Sequence, residues 1–127
     1  MIYLDSSVAL AHIFAEPRRL PESLWDEQLV SSQLLAYEVW NRIHARGLLQ
    51  SHEAAQELIS RVALLELDPR CLARALKPFP VAVRTLDALH LASIDFLRGQ
   101  GIEIALASFD ERLLLAARAL GVPLFAA

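Results

Sequence analysis

Cysteine and glycine are scarce in this 127-residue chain, and both scarcities exclude kinds of site. The single cysteine, Cys71, rules out an internal disulfide and a cysteine-ligated zinc site. We expect it to be a small buried apolar side chain in a protein of the reducing cytoplasm. Only four glycines occur, scattered along the chain, so a glycine-rich phosphate-binding loop is excluded.

Long apolar runs and an excess of positive charge are also missing. The longest uncharged stretches, such as Gln28–Tyr37 and Ala119–Ala127, are far shorter than the roughly 18 residues of a membrane span. The segment Met1–Asp5 has no basic n-region, so we expect no signal peptide. With 12 Lys and Arg against 15 Asp and Glu, the net charge of −3 argues against a protein that coats nucleic acid.

The chain does contain a large apolar fraction. Hydrophobic residues make up 55% of the sequence, above the roughly 45–50% of ordinary domains. This composition excludes disorder, and the length predicts one domain over residues 1–127. The apolar excess also predicts an interface, such as a homodimer or a bound partner protein.

Short apolar runs alternate with helical patterns along the chain. This alternation predicts parallel strands joined by helical crossovers, and therefore an α/β fold with helices on both faces of the sheet. The predicted strands are Ile2–Leu4, Leu29–Val30, Leu65–Leu67, Ile102–Ala107 and Val122–Phe125. The predicted helices are Ser7–Ala15, one from a cap at Ser31 or Ser32 to Arg46, Glu53–Leu64, Pro69–Leu76, Thr85–Arg98 and Ser108–Leu120.

Small polar residues precede the predicted helices and are expected to cap them. They are Ser31 or Ser32, Ser51, Asp68 before Pro69, Thr85, and Ser108 in a capping box with Glu111. Gly47 and Gly121 follow two of the helices, which is typical of the C′ position.

Three acidic residues lie in apolar surroundings. Asp5 follows Ile-Tyr-Leu, Glu38 lies in the segment Leu34–Trp40, and Asp87 lies in the segment Thr85–Ala92. An ionised carboxylate is costly to bury alone, so each needs a partner, a metal ion or a solvated cleft. An ion pair or a helix cap can explain any one of them, whereas three in one small domain favour a shared site.

A fourth acid joins them if the sheet has the topology usual for such folds. Asp5 lies at the carboxyl end of the first strand, and Ser108 and Asp110 lie just past that of the strand Ile102–Ala107. Sites in open parallel sheets form outside the carboxyl ends of the strands, where the strand order reverses. Asp5 and Asp110 therefore converge if their strands are neighbours at that point, and helices that begin there can add the other two acids.

A cluster of carboxylates calls for a cation. Two like charges roughly 4 Å apart repel by about 4 kcal/mol at an effective dielectric constant near 20. Oxygen ligands suit Mg²⁺ or Mn²⁺, and no cysteine or histidine cluster in the sequence points to zinc. Because carboxylate-held Mg²⁺ is usual at sites that handle phosphates, the acids predict metal-assisted phosphoryl chemistry.

Four segments occur together in a recognisable order: Ile2–Leu10 around Asp5, the apolar helix around Glu38, Leu86–Ala92 around Asp87, and Ala107–Pro123 around Asp110. On the basis of these segments, the sequence resembles the PIN-domain family, and within it the short VapC-type toxins of toxin–antitoxin pairs. The resemblance covers nearly the whole chain. The resemblance implies a three-layer α/β/α sandwich with a central parallel sheet. It also implies a metal-dependent endoribonuclease that hydrolyses RNA with metal-activated water.

The resemblance carries over one set of catalytic and metal-binding acids by motif position: Asp5, Glu38, Asp87 and Asp110. Asp5 and Asp87 are implied as the principal ligands of Mg²⁺ or Mn²⁺. Asp110 completes the metal shell directly or through water, and Glu38 binds a metal or orients the attacking water.

Four further residues are candidates for substrate binding. Ser6 and Ser108 match positions where the family carries small hydroxyl residues near the metal, although threonine is more usual at the position of Ser108. Arg42 lies one turn from the acid of its helix and Arg112 follows the last acid by two residues, so both can contact phosphates. His90 is interpreted as a packed or hydrogen-bonded helix residue rather than a metal ligand.

The resemblance further implies an RNA substrate, a homodimer, and a cognate antitoxin protein that plugs the groove. The alternative is a non-catalytic PIN-like module that acts through protein partners, which the loss of one or more acids would favour. A phosphatase of the dehalogenase type is a weaker alternative, because that chemistry needs a second aspartate where this sequence has Ser7.

Overall fold

The computed structural model of the chain describes residues 1–125, so the last two residues of the predicted domain lie outside it. The strands are β1 (Ile2–Leu4), β2 (Leu29–Ser32), β3 (Val62–Leu65) and β4 (Ala105–Ala107). The helices are α1 (Ser6–Ile13), α2 (Leu34–Arg46), α3 (His52–Ser60), α4 (Pro69–Ala75), α5 (Thr85–Gly99) and α6 (Glu111–Ala119), with short 3-10 turns at Glu22–Asp26 and Leu49–Ser51. Within this part of the chain, no helix has the length and apolar character to cross a bilayer.

The four strands form one parallel sheet in the order β3-β2-β1-β4. Tyr3 of β1 lies opposite Val30 of β2 on one side and Leu106 of β4 on the other. Successive strands run outward from β1 through β2 to β3, and β4 then pairs with the other side of β1. The strand order therefore reverses between β1 and β4, which is the neighbour relation that the sequence argument required.

Side chains of β1 alternate between two separate cores. Ile2 and Leu4 pack in a core with residues of α1, α2 and α3, whereas Tyr3 lies in a second core with residues of α5 and α6. Successive side chains of a strand point to opposite faces, so the two cores lie on the two faces of the sheet. This arrangement confirms the predicted three-layer α/β/α sandwich. Cys71 is buried, as predicted.

Four strand predictions were wrong in their bounds. The strand predicted as Leu29–Val30 extends to Ser32, and the strand predicted as Leu65–Leu67 lies at Val62–Leu65. The predicted helix to Leu64 ends at Ser60, and Val62–Leu65 instead pairs with β2, because a short apolar run fits either structure and the sheet offers a ladder for it. The strand predicted to begin at Ile102 begins at Ala105. Of the predicted last strand, only a single bridge from Leu124 to Leu106 forms in the described residues.

Helix starts also differ from the prediction. Asp110, not Ser108, caps α6, because its carboxylate accepts hydrogen bonds from the backbone of the first turn. The predicted capping box of Ser108 and Glu111 is therefore wrong. Thr85 is the first residue of α5 and caps nothing with its side chain, since the cap position is Arg84.

The other predicted helix ends had mixed outcomes. Asp68 accepts hydrogen bonds from the first turn of α4, as predicted. The cap position of α2 is Gln33 rather than Ser31 or Ser32, although the Ser32 hydroxyl accepts a hydrogen bond from the backbone N–H of Leu34. Gly47 ends α2 with a left-handed φ of 63°, a conformation that favours glycine. Ser51 lies at the cap position of α3 and makes no side-chain cap bond.

Candidate active site

Asp5 lies where β1 ends and α1 begins, at the carboxyl edge of the sheet. Its Oδ2 accepts hydrogen bonds from the hydroxyls of Ser7, at 2.5 Å, and Ser108, at 2.8 Å, and from the backbone N–H of Ser7, at 3.3 Å. The backbone N–H of Asp5 donates to Ala107 of β4, which joins the two strand ends. Among residues 1–125 no hydrogen bond reaches Oδ1, so this oxygen has acceptor capacity left for a ligand.

Asp110 is the N-cap residue that precedes α6, beside the end of β4. Its Oδ1 accepts from the backbone N–H groups of Arg112, at 3.0 Å, and Leu113, at 3.4 Å. The backbone N–H of Asp110 donates to the Ser108 hydroxyl at 2.9 Å, and that hydroxyl donates to Asp5. Ser108 therefore links the two acids that the topology brings together.

Asp87 lies in the first turn of α5 and is half-buried. Burial raises the pKa of this carboxyl group, and the negative charges of Asp110 and then Asp5 raise the pKa further, against opposing contributions from Arg84 and His90. The charges of Asp110 and Asp5 are thus near enough to disfavour the ionisation of Asp87. This electrostatic strain is what a bound cation would relieve.

Glu38 is held on α2 by two other side chains. Its Oε1 lies 2.7 Å from Nε2 of His90, and its Oε2 accepts from the Ser6 hydroxyl at 3.3 Å. Nδ1 of His90 lies 2.7 Å from the Tyr3 hydroxyl. Burial lowers the pKa of His90, but the hydrogen bond and charge of Glu38, with smaller contributions from Asp5 and Asp87, outweigh it and leave the pKa raised. The interpretation of His90 as a hydrogen-bonded helix residue is confirmed.

All four predicted acids line one cleft of about 800 Å³ at this edge of the sheet. Ser6, Arg42 and Arg112 of the predicted substrate-binding set line it as well, together with Ser7, Leu10, Arg84, Thr85, Leu86, His90 and Glu111. Ser108 is buried, and its hydroxyl is engaged by the two acids that it links. A contact of Ser108 with substrate stays a prediction.

Sequence reasoning missed two residues of this site. Ser7 bonds Asp5 and also accepts from the backbone N–H of Phe109 at 2.9 Å, and Tyr3 bonds His90. Ser7 lies inside the opening motif, which was a signal for it. Tyr3 lies in a buried, mostly apolar strand. Its hydrogen-bonding role depends on partners that only the fold brings to its hydroxyl.

The oxygen atoms of the cleft suit a divalent cation that keeps part of its water shell. Within the described part of the chain, no three carboxylate, imidazole or thiol groups lie close enough to ligate one ion directly. Mg²⁺ is usually bound through one or two carboxylates and keeps several waters. The carboxylates of Asp5, Asp87 and Asp110, which line this cleft, fit such an ion, and the half-buried Asp87 is the group that would gain most from it.

We expect the substitution Asp87→Asn to stabilise the metal-free protein at neutral pH. The pKa of Asp87 is raised in the folded state, so ionisation favours the unfolded chain, and stability falls as the pH rises through the folded-state pKa. The amide cannot ionise. Its advantage should therefore be present at pH 7 and vanish at roughly pH 3, where the wild-type carboxyl is protonated in both states.

Thermal melting in EDTA at the two pH values measures this difference. Glu103→Gln is the matched control, because Glu103 is exposed and lies outside the cleft. A variant Asp87→Asn that melts at or below the wild-type temperature at pH 7 would contradict the electrostatic reading of the site.

Known proteins are similar to this chain in both sequence and fold. The sequence model of the PIN domain matches residues 2–119. Ribonuclease VapC46 of Mycobacterium tuberculosis is 33% identical over 131 aligned residues, which cover 98% of this chain and 96% of the relative. Ribonuclease VapC47 of the same species is 27% identical, over 95% of this chain and 93% of the relative. The chain therefore belongs to the PIN-domain family, which confirms the resemblance in its sequence.

A solved structure agrees with this assignment. The crystal structure of VapC20 of Mycobacterium tuberculosis, described as a sarcin-ricin loop cleaving toxin, matches with a TM-score of 0.69. The match covers 91% of this chain and 95% of VapC20, at 20% sequence identity. At this identity the likeness shows the shared fold.

Proposed function

We propose that this protein is a divalent-metal-dependent endoribonuclease, the toxin of a type II toxin–antitoxin pair, which hydrolyses RNA phosphodiesters. The observation that carries the proposal is the convergence of four carboxylates on one cleft, two from the N-caps of α1 and α6 and two from within α2 and α5, at the point where the strand order reverses. The family and the ribonuclease relatives support the reaction class. VapC ribonucleases of this family are generally dependent on divalent metal.

The family resemblance and the surroundings of each acid support separate roles. Asp5 and Asp87 would hold the cation, Mg²⁺ or Mn²⁺, and Asp110 would complete the shell through water, since no three ligating groups of the described residues lie close enough to bind one ion directly. Such a cation makes hydroxide available at neutral pH and stabilises negative charge on the phosphoryl oxygens. Glu38 keeps acceptor capacity beside its bonds to His90 and Ser6, so it can orient the attacking water.

Arginines at the rim give the cleft affinity for the RNA backbone. Arg42, Arg84 and Arg112 line the cleft, and guanidinium groups bind phosphates through paired hydrogen bonds. Of the 15 acids of the chain, four belong to the site, which leaves 15 − 4 = 11 against 12 basic residues. The remaining protein is thus nearly neutral, and RNA should bind weakly until a cation offsets the charge of the four acids.

The proposal includes partners and a compartment. A cognate antitoxin that covers the cleft and a homodimer would use exposed apolar side chains such as Leu49, Leu72, Leu76 and Leu86. The lone buried cysteine suits the cytoplasm. Light scattering of the purified protein, alone and with the antitoxin, measures both assemblies.

Cleavage of end-labelled RNA tests the reaction. We expect cleavage with Mg²⁺ or Mn²⁺ and none in EDTA. Because water is the nucleophile, a single 2′-deoxy substitution at a mapped cleavage site should leave cleavage at that bond in place. A mechanism that uses the 2′-hydroxyl as nucleophile would instead give no cleavage at the bond that follows the 2′-deoxy nucleotide. An absence of metal-dependent cleavage across structured and single-stranded RNAs would favour the non-catalytic binding module.

A further inference from the structure

A buried chain of hydrogen bonds runs from the sheet to Glu38. The backbone N–H of Ser32, in β2, donates to the Tyr3 hydroxyl at 3.2 Å. The Tyr3 hydroxyl lies 2.7 Å from Nδ1 of His90, and Nε2 of His90 lies 2.7 Å from Oε1 of Glu38. The chain thereby connects two strands with α5 and α2, and it ends on an acid of the cleft.

The direction of donation follows from its first member. An amide N–H can only donate, so the Tyr3 oxygen is an acceptor toward Ser32 and its own proton is available for Nδ1 of a neutral His90. Nε2 of His90 then carries the proton that it donates to Glu38. A cationic imidazole also donates from Nε2, so Glu38 receives this hydrogen bond with either charge on the ring.

Packing leaves this chain little freedom. Tyr3 is 0% exposed and His90 2% exposed, and their rings meet edge to face, 5.7 Å apart at 80°. A glutamate side chain in solvent samples many rotamers, and its ordering costs conformational entropy. Here the ordering of Glu38 is completed by folding, since His90 holds one carboxylate oxygen and Ser6 bonds the other.

We propose that Tyr3 and His90 are positioning residues of the nuclease, which fix the orientation of the Glu38 carboxylate for its work on the attacking water. The inference rests on the proposed function of Glu38. It differs from a purely structural role in one respect: the loss of the chain should slow the chemical step more than it weakens RNA binding or stability.

Three substitutions separate these roles. His90→Leu removes both hydrogen bonds of the ring, His90→Gln keeps an N–H donor for Glu38, and Tyr3→Phe removes only the hydroxyl. Tyr37→Phe is the matched control, because Tyr37 is 72% exposed and lies outside the cleft. We expect kcat to fall about 10- to 100-fold in His90→Leu with KM changed less than about threefold, and to recover largely in His90→Gln. Tyr3→Phe should lose less than His90→Leu, and Tyr37→Phe should match the wild type.

A second readout needs no catalysis. In the metal-free protein, NMR should show the Nε2–H proton of His90 in slow exchange with water. Its signal is assigned by its loss in His90→Gln. That proton should exchange faster in Tyr3→Phe and stay unchanged in Tyr37→Phe. Rapid exchange in the wild type would contradict the rigid chain, as would kcat values that follow the melting temperature alone.

Asp5→Asn distinguishes the two levels of the argument. If the wild type cleaves RNA, Asp5→Asn does not, and all variants of Tyr3 and His90 cleave at the wild-type rate, the positioning role is overturned and the proposed function stands. If neither the wild type nor Asp5→Asn cleaves RNA, the proposed function fails, and the positioning role fails with it. Should His90→Leu not fold, His90→Gln and Tyr3→Phe still decide the question.

Discussion

Asp5→Asn and Asp87→Asn should each lower kcat for RNA cleavage by about 10²- to 10⁴-fold, since a catalytic cation supplies several kcal/mol and each tenfold in rate corresponds to ~1.36 kcal/mol. Both carboxylates line the cleft. Asp5 keeps an oxygen free of protein hydrogen bonds within residues 1–125, and Asp87 bears the electrostatic cost of its neighbours. An amide retains the shape of the side chain and removes the charge that holds the cation.

The matched control for this loss is Glu103→Gln, which removes one exposed acid outside the cleft and should leave kcat unchanged. Binding of Mn²⁺, followed by calorimetry, should weaken in parallel in the two site variants. Because Asp87→Asn is expected to be at least as stable as the wild type, its inactivity cannot be ascribed to unfolding. Full activity in either site variant would remove that residue from the catalytic set.

Ile94→Ala should lower the free energy of unfolding by about 2–5 kcal/mol, the range for truncating a large buried aliphatic side chain. Ile94 lies on α5, is 0% exposed, and packs in the core that also holds Tyr3. Since domains of this size are stable by only about 5–15 kcal/mol, this one cavity removes a large share of the total.

Urea denaturation measures the loss, with Leu115→Ala on α6 as control. Leu115 is 56% exposed and sits in a helix, so its truncation should change stability by less than about 0.5 kcal/mol. Equal losses in the two variants would show that the second core does not carry stability as its burial implies.

The acids of the site were readable from the sequence because their chemistry conflicts with their surroundings. A carboxylate among apolar neighbours, as at Asp5 and Asp87, has few ways to be stabilised. The positions of the strand ends predicted the edge of the sheet at which the acids would converge. Capping was less readable. Ser108 and Asp110 both had the chemistry of a helix cap, and the end of β4 decided which of them took the position.

The local sequence pattern also failed to fix the bounds of the strands. The apolar run Val62–Leu65 suits a helix or a strand, and only the free edge of β2 made it β3. The alternation of apolar runs and helical patterns was enough for the parallel α/β class, since a parallel strand pair requires a crossover. It was not enough for the bounds of each strand.

The sequence by itself predicted the class of fold, the four candidate acids and the family, because each depends on residue type and on order along the chain. The tertiary structure alone decided that β1 and β4 are neighbours, and that Tyr3, Glu38 and His90 share one buried chain of hydrogen bonds. Those three residues are 35 and 52 positions apart along the sequence, as 38 − 3 and 90 − 38 show. No local pattern links residues at such separations, since a hydrogen bond between them forms only when two faces of the fold close on each other.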